Sequence, residues 1–155
     1  MGRFPRATDS CYEERMRINA RRVRLGWGQF LTRFEWERFI TLTTDPTQCS
    51  HISEERVSRD VHRLCCEFSY LSRFSVRWAY AVEGGGGPRL HAHVLVMNES
   101  PGARRAALAG WKARNGSVTH DRPVDDVRAA CDYLCKCIGG NGEIVLSDSL
   151  MTRRE

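Results

Sequence analysis

The 155-residue sequence is poor in lysine: Lys112 and Lys136 stand alone among 24 basic residues, so arginine carries nearly all of a formal net charge of +5. A basic balance favours polyanionic partners, and arginine's planar fork suits phosphate, although a GC-rich genome yields the same bias. No apolar run approaches the roughly 18 to 20 residues of a membrane span. No continuous apolar segment follows the basic start "MGRFPRATDS", so a secretory signal is not expected and the cytoplasm is. Seven cysteines are present, yet none form a CxxC pair, and their odd number and irregular spacing do not resemble a secreted disulfide framework. Reduced thiols, mostly buried on helices, are expected instead. The run "GGGGP" lacks the GK[ST] ending of a phosphate-binding loop and leads into a strand, so it reads as a connecting loop.

What is present reads as one α+β domain with a central antiparallel sheet of about five strands flanked by helices. Residues 11 to 36 are highly charged with apolar residues interspersed, which predicts one or two helices interrupted near Gly26 and Gly28. Arg15, Arg17, Arg21, Arg22 and Arg24 lie there, and a basic arm on nucleic acid and a solvated helix fit them equally well. "RFITLTTDP" (38 to 46) predicts a strand closed by a turn. A helix capped by Ser53 follows to about Tyr70, then strands over 75 to 83 and 90 to 97 that form a hairpin across the glycine loop. A short helix over 103 to 112, an extended segment "GSVTHDRPV" and a helix from Val124 to Ile138 complete the order. The organisation expected is a basic helical extension over 1–36, a domain over 37–147 and a tail over 148–155. Trp36, Phe74 and Trp78 are expected in the core, and His51, His62 and His120 show no readable partner pattern.

"RLHAHVLV" (89 to 96) asks for an explanation: His91 and His93 share one face of a strand, while Ala92 and Val94 share the other. Such a pair can simply face solvent. The hairpin also brings Glu83 alongside, and two imidazoles with one carboxylate and open positions make a serviceable site for a divalent metal. In "AACDYLCKCIGG", Tyr133 and Lys136 are three apart on one helical face. A phenol, with an ordinary pKa of about 10, is a poor nucleophile at neutral pH unless a nearby cation stabilises its phenolate.

Taken together, "FITLTTDP" (39 to 46), "EGGGGPRLHAHVLV" (83 to 96) and "YLCKCIGG" (133 to 140) resemble, in order and spacing, the three motifs of the HUH endonucleases, specifically the rolling-circle replication initiators. The resemblance covers roughly residues 36 to 140 and implies an RRM- or ferredoxin-like sheet. It further implies that His91 and His93, with Glu83 as third ligand, hold Mg2+ or Mn2+ and polarise a scissile phosphate of single-stranded DNA. Tyr133 would then attack phosphorus, leaving a 5′-phosphotyrosine and a free 3′-hydroxyl, and Lys136 would position or neutralise the phosphate. Thr41 and Thr43 would support the site, and Arg89 and the N-terminal arginines would contact DNA.

The chain departs from the two-tyrosine initiators: Cys137 and Gly140 occur where the tyrosine and lysine of a second YxxK would fall. A single-tyrosine enzyme is therefore expected, which would finish a replication round with a second subunit or another acceptor and, with no Walker motif present, would leave unwinding to a separate helicase or a further domain. Three other functions fit parts of the pattern. A single-tyrosine HUH transposase runs the same chemistry on hairpins, a non-catalytic RRM-like module stacks bases on its aromatics, and a metal-dependent oxygenase also uses two histidines and a carboxylate. Tyr133 separates the nicking enzymes from the last two.

Overall fold

The computed structural model describes residues 7–48, 52–84, 89–138 and 143–151, with side chains from Tyr12 onward. Cys11, Cys49, His51, most of the glycine loop (85–88) and the "GGNG" helix stop with Gly140 lie outside the described side chains. Ten elements follow in order: α1 (Ala7–Leu31), β1 (Arg38–Thr44), α2 (Glu54–Ser72), β2 (Arg77–Glu83), β3 (His91–Met97), α3 (Pro101–Arg114), β4 (Gly116–Pro123), α4 (Val127–Cys135), β5 (Ile144–Leu146) and α5 (Asp148–Met151). The strands form one antiparallel sheet in the order β4-β1-β3-β2-β5. The run β1-α2-β2-β3-α3-β4 with order 4-1-3-2 is the ferredoxin-like arrangement of two interleaved split βαβ units. The fold class expected from the sequence is therefore present.

Local chemistry explains the elements. Ser53 caps α2 by accepting from the Arg56 N–H at 3.2 Å, and Glu54 and Glu55 complement the positive end of the helix dipole. Val57, Val61, Leu64, Cys65 and Phe68 then recur at helical spacing and are buried. Arg73 ends α2 in the left-handed conformation (φ 59°), a rare state for a residue with a Cβ. Ser100 and Asp126 cap α3 and α4 in the same way as Ser53.

Period-two alternation sends the residues of each central strand to two different layers. Ile40 and Leu42, Trp78, Tyr80 and Val82, and Ala92, Val94 and Val96 pack under α2 and α3. Phe39, Ala79, Ala81 and Leu95 face the other way, towards Leu31 of α1 and Leu134 of α4. Both faces of the sheet are covered. β4 is an edge strand of mostly exposed residues, joined to β1 by the Arg38–Asp121 ion pair at 2.7 Å. Its charges discourage pairing with another chain.

Several expectations are corrected. The N-terminal segment is one 25-residue helix, unbroken at Gly26 and Gly28. Gly28 is buried against α4, where an added Cβ would meet an Asp132 carboxylate oxygen at 3.1 Å, so its use is close helix approach and not a break. The helix at Tyr133 spans Val127–Cys135, narrower than the expected 124 to 138, because Asp126 caps it late and Lys136 occupies the C-cap. β5 and α5 add elements within what was read as the domain's end and tail. Trp36 and Trp78 are buried, but Phe74 is 47% exposed because it lies in the turn between the α2 cap and Val76, beyond either core stripe. His62 does find partners, its ring centre lying 5.2 Å from that of Trp78 and 6.4 Å from that of Tyr80 in steeply inclined pairs. Cys65, Cys131, Cys135 and Cys137 are free and buried and Cys66 is free and exposed. No helix among the described residues is long and apolar enough to cross a membrane.

Candidate active site

At one end of the sheet, the face towards α4 changes from apolar to polar. β1 and β3 pair Thr41 with His93 and Thr43 with His91, while β2 and β3 pair Glu83 with His91 and Ala81 with His93. All of these side chains share a face because the register keeps odd positions together on antiparallel neighbours. The small Ala81 leaves room above the sheet for longer neighbours. The sequence-expected residues Glu83, His91 and His93 thus converge on one edge of the same surface.

Each imidazole is held by a threonine. Thr41 Oγ1 lies 3.1 Å from His93 Nδ1, and Thr43 Oγ1 lies 3.0 Å from His91 Nδ1. These are the contacts made by the two threonines that the sequence placed beside the site. His93 is nearly fully buried (2% exposed), and its ring stacks on Phe39 at 5.8 Å. Its Nε2 meets Glu83 Oε2 at 2.8 Å. Burial lowers the His93 pKa, and the hydrogen bond to Glu83 only partly opposes that. The Glu83 carboxyl is in turn lowered below its usual range, first by its bond to His93, with Lys136 adding to the effect against desolvation.

α4 delivers the other two groups. Asp126 fixes its start by accepting from the Ala129 N–H at 3.0 Å, and Leu134 and Cys131 anchor its inner face in the core. That rotation leaves Tyr133 45% exposed at the rim, with its ring centre 4.9 Å from that of His93 and 5.7 Å from that of Phe39, both pairs nearly perpendicular. Lys136 Nζ sits 3.9 Å from the centre of the Tyr133 ring and 3.1 Å from Glu83 Oε1. Hydrogen bonding to the Tyr133 phenol and to Glu83 raises the Lys136 pKa against mild desolvation, so this cation persists through neutral pH. The chain Thr41–His93–Glu83–Lys136–Tyr133 is therefore one connected set of contacts. Cys137 is close by, but burial pushes its thiol up to about 11, so it stays protonated and is a weak nucleophile.

Beyond Tyr133 a cleft of about 280 Å³ runs between α4 and the end of β4, lined by Phe39, Arg122, Asp125 and Ala129 among others. The Arg122 guanidinium lies 5.7 Å from the Phe39 ring centre. Arg89 is exposed beside the hairpin. Arg15, Arg17, Arg21, Arg22 and Arg24 are exposed on α1, and Arg24 Nε donates to the Ile138 carbonyl, which ties the arm to the segment after α4. Sequence reasoning missed Phe39, Arg122 and Thr119, whose hydroxyl is 2.6 Å from that of Thr43. Only the register of β1 against β4 reveals Thr119.

The donor set of two imidazoles and one carboxylate suits a divalent cation, and engagement of both Nδ1 atoms by threonines leaves Nε2 as the coordinating nitrogen of each ring. As arranged, Glu83 is turned to His93 and Lys136, and among the described residues no group of three or more His, Cys, Asp or Glu side chains is drawn together around a common point. A cation would have to take Glu83 from those partners. Comparison with protein-family models, with curated proteins and with solved structures finds no match to this chain.

Proposed function

We propose that this protein is a single-tyrosine HUH-type endonuclease that nicks and rejoins single-stranded DNA by transesterification, in the manner of a rolling-circle replication initiator. The observation that carries the reading is the contact set around Tyr133: an accessible phenol with an ammonium 3.9 Å from its ring centre and an imidazole ring centred 4.9 Å away, at the rim of a cleft. An exposed tyrosine is common. One in contact with a lysine and a buried histidine that a glutamate bridges fits a nucleophile that must be stabilised as its anion.

In this reading the Tyr133 oxygen bonds to phosphorus as the bond from phosphorus to the 3′-oxygen breaks. The phenolic proton is lost, the departing 3′-oxygen gains one, and the 5′-phosphate remains on the tyrosine. Lys136 stabilises negative charge on the phenolate and on the phosphate oxygens. Thr41 and Thr43 hold the imidazoles in place. His91, His93 and Glu83 would hold Mg2+ or Mn2+, which when bound supplies Lewis acidity to the phosphate. The cleft lined by Phe39, Arg122 and Asp125 receives the nucleotide next to the cut, and the α1 arginines and Arg89 contact backbone phosphates.

Among the described residues both faces of the central strands pack under helices, which weighs against a non-catalytic RRM-like module that stacks bases on an open sheet. A transposase of the same chemistry differs in substrate. The test is incubation of the wild type and Tyr133→Phe with manganese and two oligonucleotide pools, one of unstructured single strands and one of hairpins, followed by a denaturing gel. A protein–DNA band with the wild type alone supports the reading, and the pool that yields it separates initiator from transposase. Cleavage retained by Tyr133→Phe refutes the assignment of the nucleophile.

A further inference from the structure

We infer that Thr119 is a positioning residue that sets the tautomer of His91 through the Thr43 hydroxyl, leaving the His91 Nε2 lone pair free for a divalent cation. The inference rests on the reading of His91 as a cation ligand. Its origin is an irregularity in the sheet. Along β1 and β4, Thr43 pairs with Ser117 and Leu42 with Val118, but Thr41 pairs with His120, so Thr119 is an extra residue between two paired ones. A bulge of this kind re-aims one side chain, and such bulges are common beside active sites. Here the re-aimed hydroxyl reaches Thr43 Oγ1 at 2.6 Å, and Thr43 Oγ1 reaches His91 Nδ1 at 3.0 Å.

Proton counting gives this relay its meaning. The Thr43 hydroxyl has one proton to donate. If it goes to His91 Nδ1, the neutral ring carries its proton on Nε2 and cannot bind a cation there. If it goes to Thr119, Thr43 turns a lone pair to His91, Nδ1–H donates to it, and Nε2 is open. The 2.6 Å contact admits either direction, and donation by Thr119 would give the first state. In the inferred arrangement Thr119, exposed and able to give its own proton to solvent, accepts from the buried Thr43 and so sets the second. His93 shows the contrast: its Nε2 faces a carboxylate, which only accepts, so in the metal-free protein His93 carries its proton on Nε2 and Nδ1 accepts from Thr41. Neighbouring imidazoles thus hold opposite tautomers, one open and one already engaged.

Thr119 is exposed on an edge strand, so its substitution spares the core. Valine places a methyl where the hydroxyl stood and denies Thr43 both Thr119 and a replacement water. Serine keeps the acceptor. The experiment is long-range proton–nitrogen correlation NMR on metal-free, histidine-labelled protein, with manganese affinity of the same samples measured by titration without DNA. The wild type should show His91 protonated on Nδ1. Thr119→Val should move it to Nε2 and weaken manganese binding about 10-fold, the lower end for loss of a ligand's supporting hydrogen bond. Thr119→Ser should restore both, and unchanged His93 signals would show that the fold is intact. An Nε2–H tautomer of His91 in the wild type, or no change in Thr119→Val, overturns the inference even if manganese binds. A tautomer that responds as stated while no variant binds manganese keeps the relay and overturns the cation reading.

Discussion

The two faces of the sheet come from the same strands and obey opposite rules. Under α2 and α3, Ile40, Leu42, Val82, Ala92 and Val94 make apolar contacts throughout. One residue along each strand, on the face towards α4, come Thr41, Thr43, Glu83, His91 and His93. His93 is as buried as the core valines, and it is tolerated because both ring nitrogens have partners. The contrast teaches that stability and chemistry are separated by the pleat. Substitutions on one face should unfold the protein, and those at the rim of the other should silence it while it stays folded.

The largest effect should come from Val94→Asp, which buries a charge with no partner on the apolar face. Stability should fall by about 4 kcal/mol or more, measured by urea denaturation. Tyr133→Phe removes one half-exposed hydroxyl, so its urea transition should stay within about 0.5 kcal/mol of the wild type although nicking is lost. Equal destabilisation by both variants would erase the comparison. Next in size, Lys136→Met should slow nicking about 100-fold, as loss of one charge-stabilising donor does, without lowering the thermal midpoint.

Substituting Arg15 and Arg22 by glutamine tests a third region. If both contact phosphate, the slope of log affinity against log salt should become shallower by about 0.7 for each. An unchanged slope would remove α1 from the DNA interface. The smallest effect concerns Glu83 in the metal-free protein. Its folded pKa is lowered, so its contribution to stability is complete above the ordinary value of 4.5 and is lost as pH falls through the lowered one. Glu83→Gln should therefore flatten the acid limb of the stability profile and leave its shape above pH 6 unchanged.

Much of this division is legible in the sequence because strand alternation is a local property. "HAHVLV" places two imidazoles opposite Ala92 and Val94, and the hairpin follows from two strands flanking glycines. The spacing of Tyr133 and Lys136 likewise puts them on one side of α4, even though Lys136 turns out to be the cap. What the sequence hides depends on tertiary partners. Gly26 and Gly28 cost a helix about 1 kcal/mol each relative to alanine, yet α1 continues through both, and at Gly28 the close contact with α4 offsets that cost. The three residues of β5 are too few to show alternation, and they are a strand only because β2 has a free edge. The Thr119 bulge and the turn of Glu83 towards Lys136 exist only in strand register and side-chain packing, which no spacing encodes.

The most direct test of the account is to map the residue that DNA becomes attached to. Wild-type protein incubated with oligonucleotide and manganese should be digested with nuclease and trypsin and examined by mass spectrometry. The account predicts a nucleotide on the peptide Ala129–Lys136, joined at Tyr133 through its 5′-phosphate. Attachment at another residue, or strand cutting with no protein-bound nucleotide, would contradict it.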